Sequence, residues 1–203
     1  MKAHLILASA ATLALAACGG GDDAATANDM AANGLAADNG ALATADNMAD
    51  VNAAAPAPLT ASTGQDYATM AAAGDMYEIE SSKLVVEKSQ NAELKKLAQM
   101  IIADHEKSTA DLKKAAAEAQ PPIMVAPALN PEQQANMTAL KAANAADLDR
   151  LWVSQQIPAH EKTLGLVQHY AQNGDVAALK QHASTVSGPV QKHLDALRKM
   201  PTQ

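Results

Sequence analysis

Three histidines lie on apolar helical faces of this sequence, where a metal ion could bind to them. His105, His160 and His193 each follow apolar residues at spacings of three and four, which places them on the inward side of an amphipathic helix. Glu78 lies at the edge of a fourth apolar face. Imidazole and carboxylate groups are good ligands for Zn, Cu or Fe, so these four side chains are the candidate metal ligands.

Two carboxylates adjoin these histidines in sequence, Asp104 next to His105 and Glu161 next to His160. Carboxylates that accept a hydrogen bond from a ligand histidine orient its ring and raise its basicity. We therefore expect Asp104 and Glu161 to support the candidate ligands. His169 and His182 lie off the inward faces and are expected at the rim, in contact with solvent.

The same histidines allow two other interpretations. A buried histidine can satisfy its polar atoms with a neighbouring carbonyl or carboxylate, so the three could form a structural hydrogen-bond network. A metal-dependent redox enzyme is the third possibility. Against a ferritin-type di-iron enzyme, no Glu-x-x-His motif is present, because the residues three positions earlier are Ile102, Ile157 and Val190.

Motifs of other function classes are missing from the sequence. There is no Met-x-x-Met cluster of the kind expected for a copper(I) chaperone, no Gly-x-Ser-x-Gly, no phosphate-binding loop and no His-Glu-x-x-His. We therefore expect a binding module without turnover of its own. Few aromatic residues and no basic stripe argue against nucleic-acid binding.

The elements that must position these residues are helices, because the apolar residues recur with helical period and nowhere in strict alternation. Four long helices are predicted over 66–88, 92–119, 145–172 and 175–199, with a short one over 131–142. Pro121 and Pro122 end the second long helix, and Asn130 can cap the short helix that begins with Pro131. Short connections favour an all-α four-helix bundle over residues 61–203.

The first 60 residues predict export and lipid attachment. Residues 1–17 have Lys2 followed by an apolar run, and they end in Leu-Ala-Ala before Cys18, the only cysteine, as in a bacterial lipoprotein signal peptide. Acylation of Cys18 would anchor the protein stably to a membrane. Gly19 after the cysteine, rather than aspartate, favours the outer membrane, with the domain facing the periplasm.

Residues 18–60 are predicted to be a disordered tether behind the lipidated cysteine. Residues 19–60 are rich in Ala, Gly, Asn and Asp, and they hold no Lys or Arg. Such a composition buries too little apolar surface to offset the entropy lost on ordering. Six of the 22 acidic residues lie here, so the tether holds most of the net charge of −7.

The helical region resembles a widespread bacterial family of exported proteins of unknown function with a ferritin-like four-helix fold. The resemblance covers residues 65–198 and depends on motifs in a fixed order: Glu78-Ile79, Asp104-His105, Asp149 with His160, and Pro189 with His193-Leu194. It implies a ferritin-like antiparallel bundle in the envelope, and it adds Asp149 to the carboxylates expected to support the ligands. The sequence departs from the family at Leu148, where an aromatic residue is usual, and at Trp152, where tyrosine is common.

Overall fold

Five α-helices make up most of residues 59–200, the part of the chain that the computed structural model describes. They are α1 (Gly64–Lys88), α2 (Ala92–Ala117), α3 (Pro131–Ala142), α4 (Ala145–Asn173) and α5 (Ala177–Leu197). The predictions for the signal peptide and Cys18, and almost all of the predicted tether, lie outside the described residues. Within the described part, no helix combines the length and apolarity needed to cross a membrane.

Side-chain caps explain where the first four helices begin. Each starts after a Thr or Asn whose side-chain oxygen accepts hydrogen bonds from backbone N–H groups of the first turn, namely Thr63, Asn91, Asn130 and Asn144. Helix α5 starts two residues later than the sequence predicts and has no side-chain cap. Asp175, the predicted first residue, instead accepts a hydrogen bond from the Tyr170 hydroxyl at 2.8 Å.

The four long helices form a ring in which each packs against two neighbours. Helix α1 packs on α2 and α4, and α5 packs on the same two helices from the opposite side. The short helix α3 lies outside the ring against α1 and α4. The three-residue connections at 89–91 and 174–176 make the joined helices antiparallel. The predicted all-α bundle with one extra short helix is confirmed.

Both prolines that the sequence places within helices remain there. Helix α4 continues through Pro158 and α5 through Pro189. Each proline removes one backbone N–H from its helix, so the carbonyl four residues earlier loses its usual partner. Pro189 lies one turn before His193, close to the candidate site.

Two apolar clusters form the core, and polar side chains lie between them. One cluster includes Tyr67, Leu112 and Tyr170. The other includes Ile101 and Trp152. Along α2, His105 falls between the buried Ile101 of one cluster and Leu112 of the other. His160 on α4 and His193 on α5 likewise fall between residues of the two clusters. This layer of buried polar residues, here called the polar layer, comprises Asp75, Glu78, Ser81, Ser82, His105, Ser108, Gln156, His160, His182 and His193.

Candidate metal centre

The three inward histidines meet at the centre of the polar layer. His105 lies on α2, His160 on α4 and His193 on α5, and the three residues are 4%, 1% and 0% exposed. Their ring centroids lie 5.9 Å (105–160), 5.6 Å (105–193) and 5.5 Å (160–193) apart. Three helices thus bring one imidazole each to a common buried point.

One nitrogen of each ring is held by an acceptor outside the cluster. The three bonds join His105 Nδ1 to Asp75 Oδ1 (2.8 Å), His160 Nδ1 to the Gln156 carbonyl oxygen (3.0 Å) and His193 Nε2 to Asp104 Oδ2 (2.8 Å). Ionised carboxylates and carbonyls only accept hydrogen bonds, so each of these ring nitrogens is the donor and carries a proton. This assigns the tautomer of each neutral ring and orients it.

The other nitrogen of each ring has no partner. His105 Nε2, His160 Nε2 and His193 Nδ1 are buried and make no hydrogen bond within residues 59–200. In the neutral rings these atoms carry the lone pair, which is the metal-binding electron pair. One nitrogen from each ring lies within 4.8 Å of the others. Three nitrogens at about 2.0–2.1 Å from one tetrahedral ion lie about 3.3–3.4 Å apart, so the rings move closer together when they bind it.

Glu78 adds a carboxyl group from α1 to the same layer. It is 2% exposed, and its Oε1 lies 3.7 Å from His160 Nδ1. Its Oε2 is buried and has no hydrogen-bond partner in the described part of the chain. Burial raises the pKa of Glu78 to about 8 despite the nearby His105. Without a cation beside it the group is therefore mostly protonated at neutral pH and does not form an ion pair with His160.

Burial and neighbouring charge act differently on the three histidines. Burial and the charges of the other two rings lower the pKa of His160 well below its ordinary value. Burial also lowers the pKa of His193, although Asp104 opposes it. Burial by itself would lower the pKa of His105, but the hydrogen bond and charge of Asp75 outweigh it and raise that pKa. Two of the three rings are therefore held neutral, the form that binds metals.

The structure brings His105, His160 and His193 together, and it places Asp104 against one of them. Glu78 lies beside His160 but is not among the groups whose ligand atoms lie within 4.8 Å of one another. Asp104 is adjacent to His105 in sequence but accepts its hydrogen bond from His193 on α5. The reason is geometric, because successive side chains point about 100° apart around a helix. Asp104 therefore faces the neighbouring helix while His105 faces the interior.

The structure corrects the expectation that Asp149 and Glu161 support the ligands. Asp149 accepts a hydrogen bond from Ser89 at 2.9 Å, and it lies eleven residues before His160, about 16 Å along α4. Glu161 pairs with Arg198 at 2.8 Å on a partly exposed face, since it points about 100° away from the preceding His160.

Sequence reasoning missed Asp75 and misplaced His182. Asp75 stands three residues before Glu78 on the same helical face, and this spacing was the signal that could have identified it. His182 is buried rather than solvated. The Tyr67 hydroxyl lies 2.8 Å from its Nδ1, and its Nε2 lies 3.1 Å from the Ser108 carbonyl oxygen. The carbonyl accepts only, so Nε2 carries the proton and Nδ1 accepts from the tyrosine.

Comparisons with known proteins agree with this architecture. A solved structure described as "CopM in the Cu(II)-bound form" superposes with a TM-score of 0.58 at 19% sequence identity, covering 70% of this chain and 96% of that one. At this identity the likeness shows the fold alone. No curated protein matches the chain. A family model described as a domain of unknown function, DUF4142, matches residues 48–200, and the chain therefore belongs to the DUF4142 family.

Proposed function

We propose that the protein binds one first-row transition-metal ion in the interior of its bundle, through His105, His160 and His193. The observation that carries this proposal is the set of three buried ring nitrogens without partners among residues 59–200. In each ring the opposite nitrogen is held by a carboxylate or a carbonyl, the arrangement that supports metal-binding histidines elsewhere. Glu78 is the candidate fourth donor, because its unpartnered Oε2 lies in the same layer. Its side chain must turn to reach the ion, since its Oε1 lies against His160 Nδ1 and not against the unpartnered Nε2.

A purely structural histidine network accounts less well for the same geometry. A buried polar atom left without a partner costs about 1–3 kcal/mol. The cluster contains four such atoms, one on each histidine and one on Glu78. A network that served stability alone would pair these atoms with one another or with backbone groups. A cation bound by the three histidines satisfies their three nitrogens at once, and it satisfies the Glu78 oxygen as well when that side chain turns toward the ion.

The donor set favours copper(II) and zinc over iron. Three imidazoles and one carboxylate suit both ions, whereas non-haem iron sites with open positions use two histidines and a carboxylate. Along the first-row divalent metals, the affinity of such a site rises to a maximum at copper. We therefore infer that Cu(II) binds most tightly and that Zn(II) competes with it. A protein of the same fold is described as Cu(II)-bound, which supports this order.

We infer further that the bundle is attached to the bacterial cell envelope by lipid at Cys18 and faces the periplasm, where it acts as a metal-binding or stress-protective module. The support comes from the sequence, in which an apolar run ends in Leu-Ala-Ala before the only cysteine.

Elemental analysis tests the metal proposal. The protein is purified without a polyhistidine tag, and its metal content is measured before and after titration with Cu(II) and Zn(II). We expect about one ion per chain in the wild type and a loss of tight binding in both His105→Ala and His160→Ala, since each removes one of three imidazole ligands. His169→Ala is the matched control, because His169 contacts Asn173 outside the cluster.

The stability of a third variant separates the two interpretations of the cluster. His160→Leu removes an unpartnered polar atom and fills the same space with an apolar side chain. If the site is for metal, the metal-free variant should be within about 1 kcal/mol of the wild type or more stable, yet unable to bind metal. Wild-type protein that holds no metal, together with a strongly destabilised His160→Leu, would support a structural network instead.

A further inference from the structure

A cleft leads from the surface into the candidate site between α2 and α5. It encloses about 100 Å³, and its inner end is formed by His105 and His193, two of the rings with an unpartnered nitrogen. Val186, Pro189 and Val190 form an apolar wall on the α5 side. One water molecule needs about 10–15 Å³ of such a volume, so the cleft has room for several water molecules or for a partly hydrated metal ion.

The charged groups of this cleft favour a cation. Asp75, Asp104 and Asp111 line it, and Lys107 is the one basic side chain among its described lining residues that is always charged. Asp111 pairs with this lysine. Asp104 is 39% exposed in its side chain, while its Oδ2 contacts the fully buried His193. A single carboxylate therefore connects solvent with the interior imidazole, and the focused negative field attracts positive ions.

A second cavity reaches the site from the opposite side, but its lining is less suited to attract a cation. It encloses about 310 Å³ between α1, α3 and α4 and contacts Glu78 but none of the three histidines. The Lys162 ammonium lies at this cavity, paired with Glu132 at 2.6 Å. An ion that came this way would meet the Lys162–Glu132 ion pair and side-chain amides, and it would reach Glu78 before any imidazole.

We propose that the metal ion reaches the three-histidine site through the α2–α5 cleft, along the carboxylates of Asp111 and Asp104, and that His193 is the first of the three ligand imidazoles that it meets. The carboxylate oxygens replace part of the hydration shell before the ring nitrogens do. This inference rests on the proposed function, because it describes how the same site is loaded.

Binding kinetics test the route with two matched threonines. Thr185 lines the α2–α5 cleft and Thr69 lines the opposite cavity; both are exposed, and each hydroxyl donates to the carbonyl four residues earlier at 2.8 Å. Thr185→Phe narrows one opening and Thr69→Phe the other. Cu(II) association is followed by stopped-flow quenching of Trp152, the only tryptophan, which lies eight residues from His160, about 12 Å along α4.

The route predicts a change in rate without a change in affinity. We expect Thr185→Phe to slow association and dissociation by about tenfold each. A narrower cleft raises the free-energy barrier to the passage of the ion, but it does not change the free energy of the metal-free or the metal-bound protein. Thr69→Phe should stay within about twofold of the wild type. Val186→Phe adds a bulky side chain to the apolar wall of the same cleft, and it should slow association and dissociation as Thr185→Phe does. The proposed route would be wrong if Thr185→Phe and Val186→Phe both bound Cu(II) at the wild-type rate, or if Thr69→Phe were the variant with slower binding.

A charge variant tests the carboxylates separately. Asp111→Asn should slow Cu(II) association several-fold at low ionic strength, with the difference lost near 1 M salt, where the Debye length is about 3 Å. Glu93→Gln, at the start of α2 and outside the cleft, should not change the rate. Equal rates in the two variants would contradict the carboxylate path. A wild-type protein that binds no metal at all would refute the proposed function itself. Wild-type binding rates in Thr185→Phe and Val186→Phe would refute only the route.

Discussion

Replacing Asp75 should weaken metal binding although Asp75 is not itself one of the proposed metal ligands. Its Oδ1 accepts the His105 Nδ1 proton at 2.8 Å, and its Oδ2 accepts from Thr109 at 3.1 Å. The side chains of His105 and Asp75 are only 5% and 6% exposed. In Asp75→Asn the side chain keeps its shape and loses its charge, so His105 is less basic. If the amide turns its NH₂ group toward the ring, Nδ1 must accept, and the metal-binding nitrogen then carries the proton.

The size of the effect follows from the geometry. A hydrogen bond to a buried charged group contributes about 1.5–3 kcal/mol. At about 1.4 kcal/mol per factor of ten, this corresponds to roughly 10- to 100-fold in affinity. The same range is typical when the carboxylate partner of a metal-binding histidine is replaced. We therefore expect Asp75→Asn to bind Cu(II) and Zn(II) about 10- to 100-fold more weakly than the wild type.

Competition with a chromogenic chelator of known affinity measures this loss at fixed pH, and circular dichroism confirms that the variant is folded. Asp149→Asn is the matched control, since it makes the same substitution in a carboxylate that accepts from Ser89 instead of a histidine. The control should bind metal like the wild type. Folded Asp75→Asn with wild-type affinity would refute the argument that Asp75 sets the tautomer of a ligand.

Two further predictions concern the rest of the chain. Burial lowers the pKa of His182 in the folded protein, so the unfolded chain binds a proton at this residue more readily. The contribution of His182 to the free energy of unfolding is therefore complete above about pH 6.5, and it is lost as the pH falls through the folded-state pKa. Urea unfolding at pH 7, 6 and 5 should therefore show the free-energy advantage of the wild type over His182→Gln shrinking by up to about 1.4 kcal/mol per pH unit, and parallel curves would contradict this. Cys18→Ser should abolish incorporation of labelled fatty acid and release the protein from the membrane fraction, whereas a serine variant that remains labelled would exclude Cys18 as the lipid attachment site.

Most of the helical architecture could be predicted from local patterns. The start of α3 follows from Asn130 and Pro131, since the first caps the helix and the second fits its first turn. The inward positions of His105, His160 and His193 follow from the spacing of apolar residues along each helix. These features depend on interactions within a few residues, which the sequence contains in full.

The partners of the histidines could not be predicted in the same way. Asp104 supports His193 across 89 positions of sequence, not the histidine beside it. His182 is buried because Tyr67 and the Ser108 carbonyl, on two other helices, offer it partners. Asp149 and Glu161, expected near the ligands, bond elsewhere because they lie at another level or on another face of α4.

The sequence alone determined which side of each helix faces inward, and therefore that four ligand-type side chains point to the interior. It did so because a residue's direction around a helix is set by a rotation of about 100° per position. Only the tertiary structure decided that three of the four long helices present their histidines at the same height. That height depends on the packing of α2, α4 and α5 against one another, so the meeting of three ring nitrogens is a property of the assembled bundle.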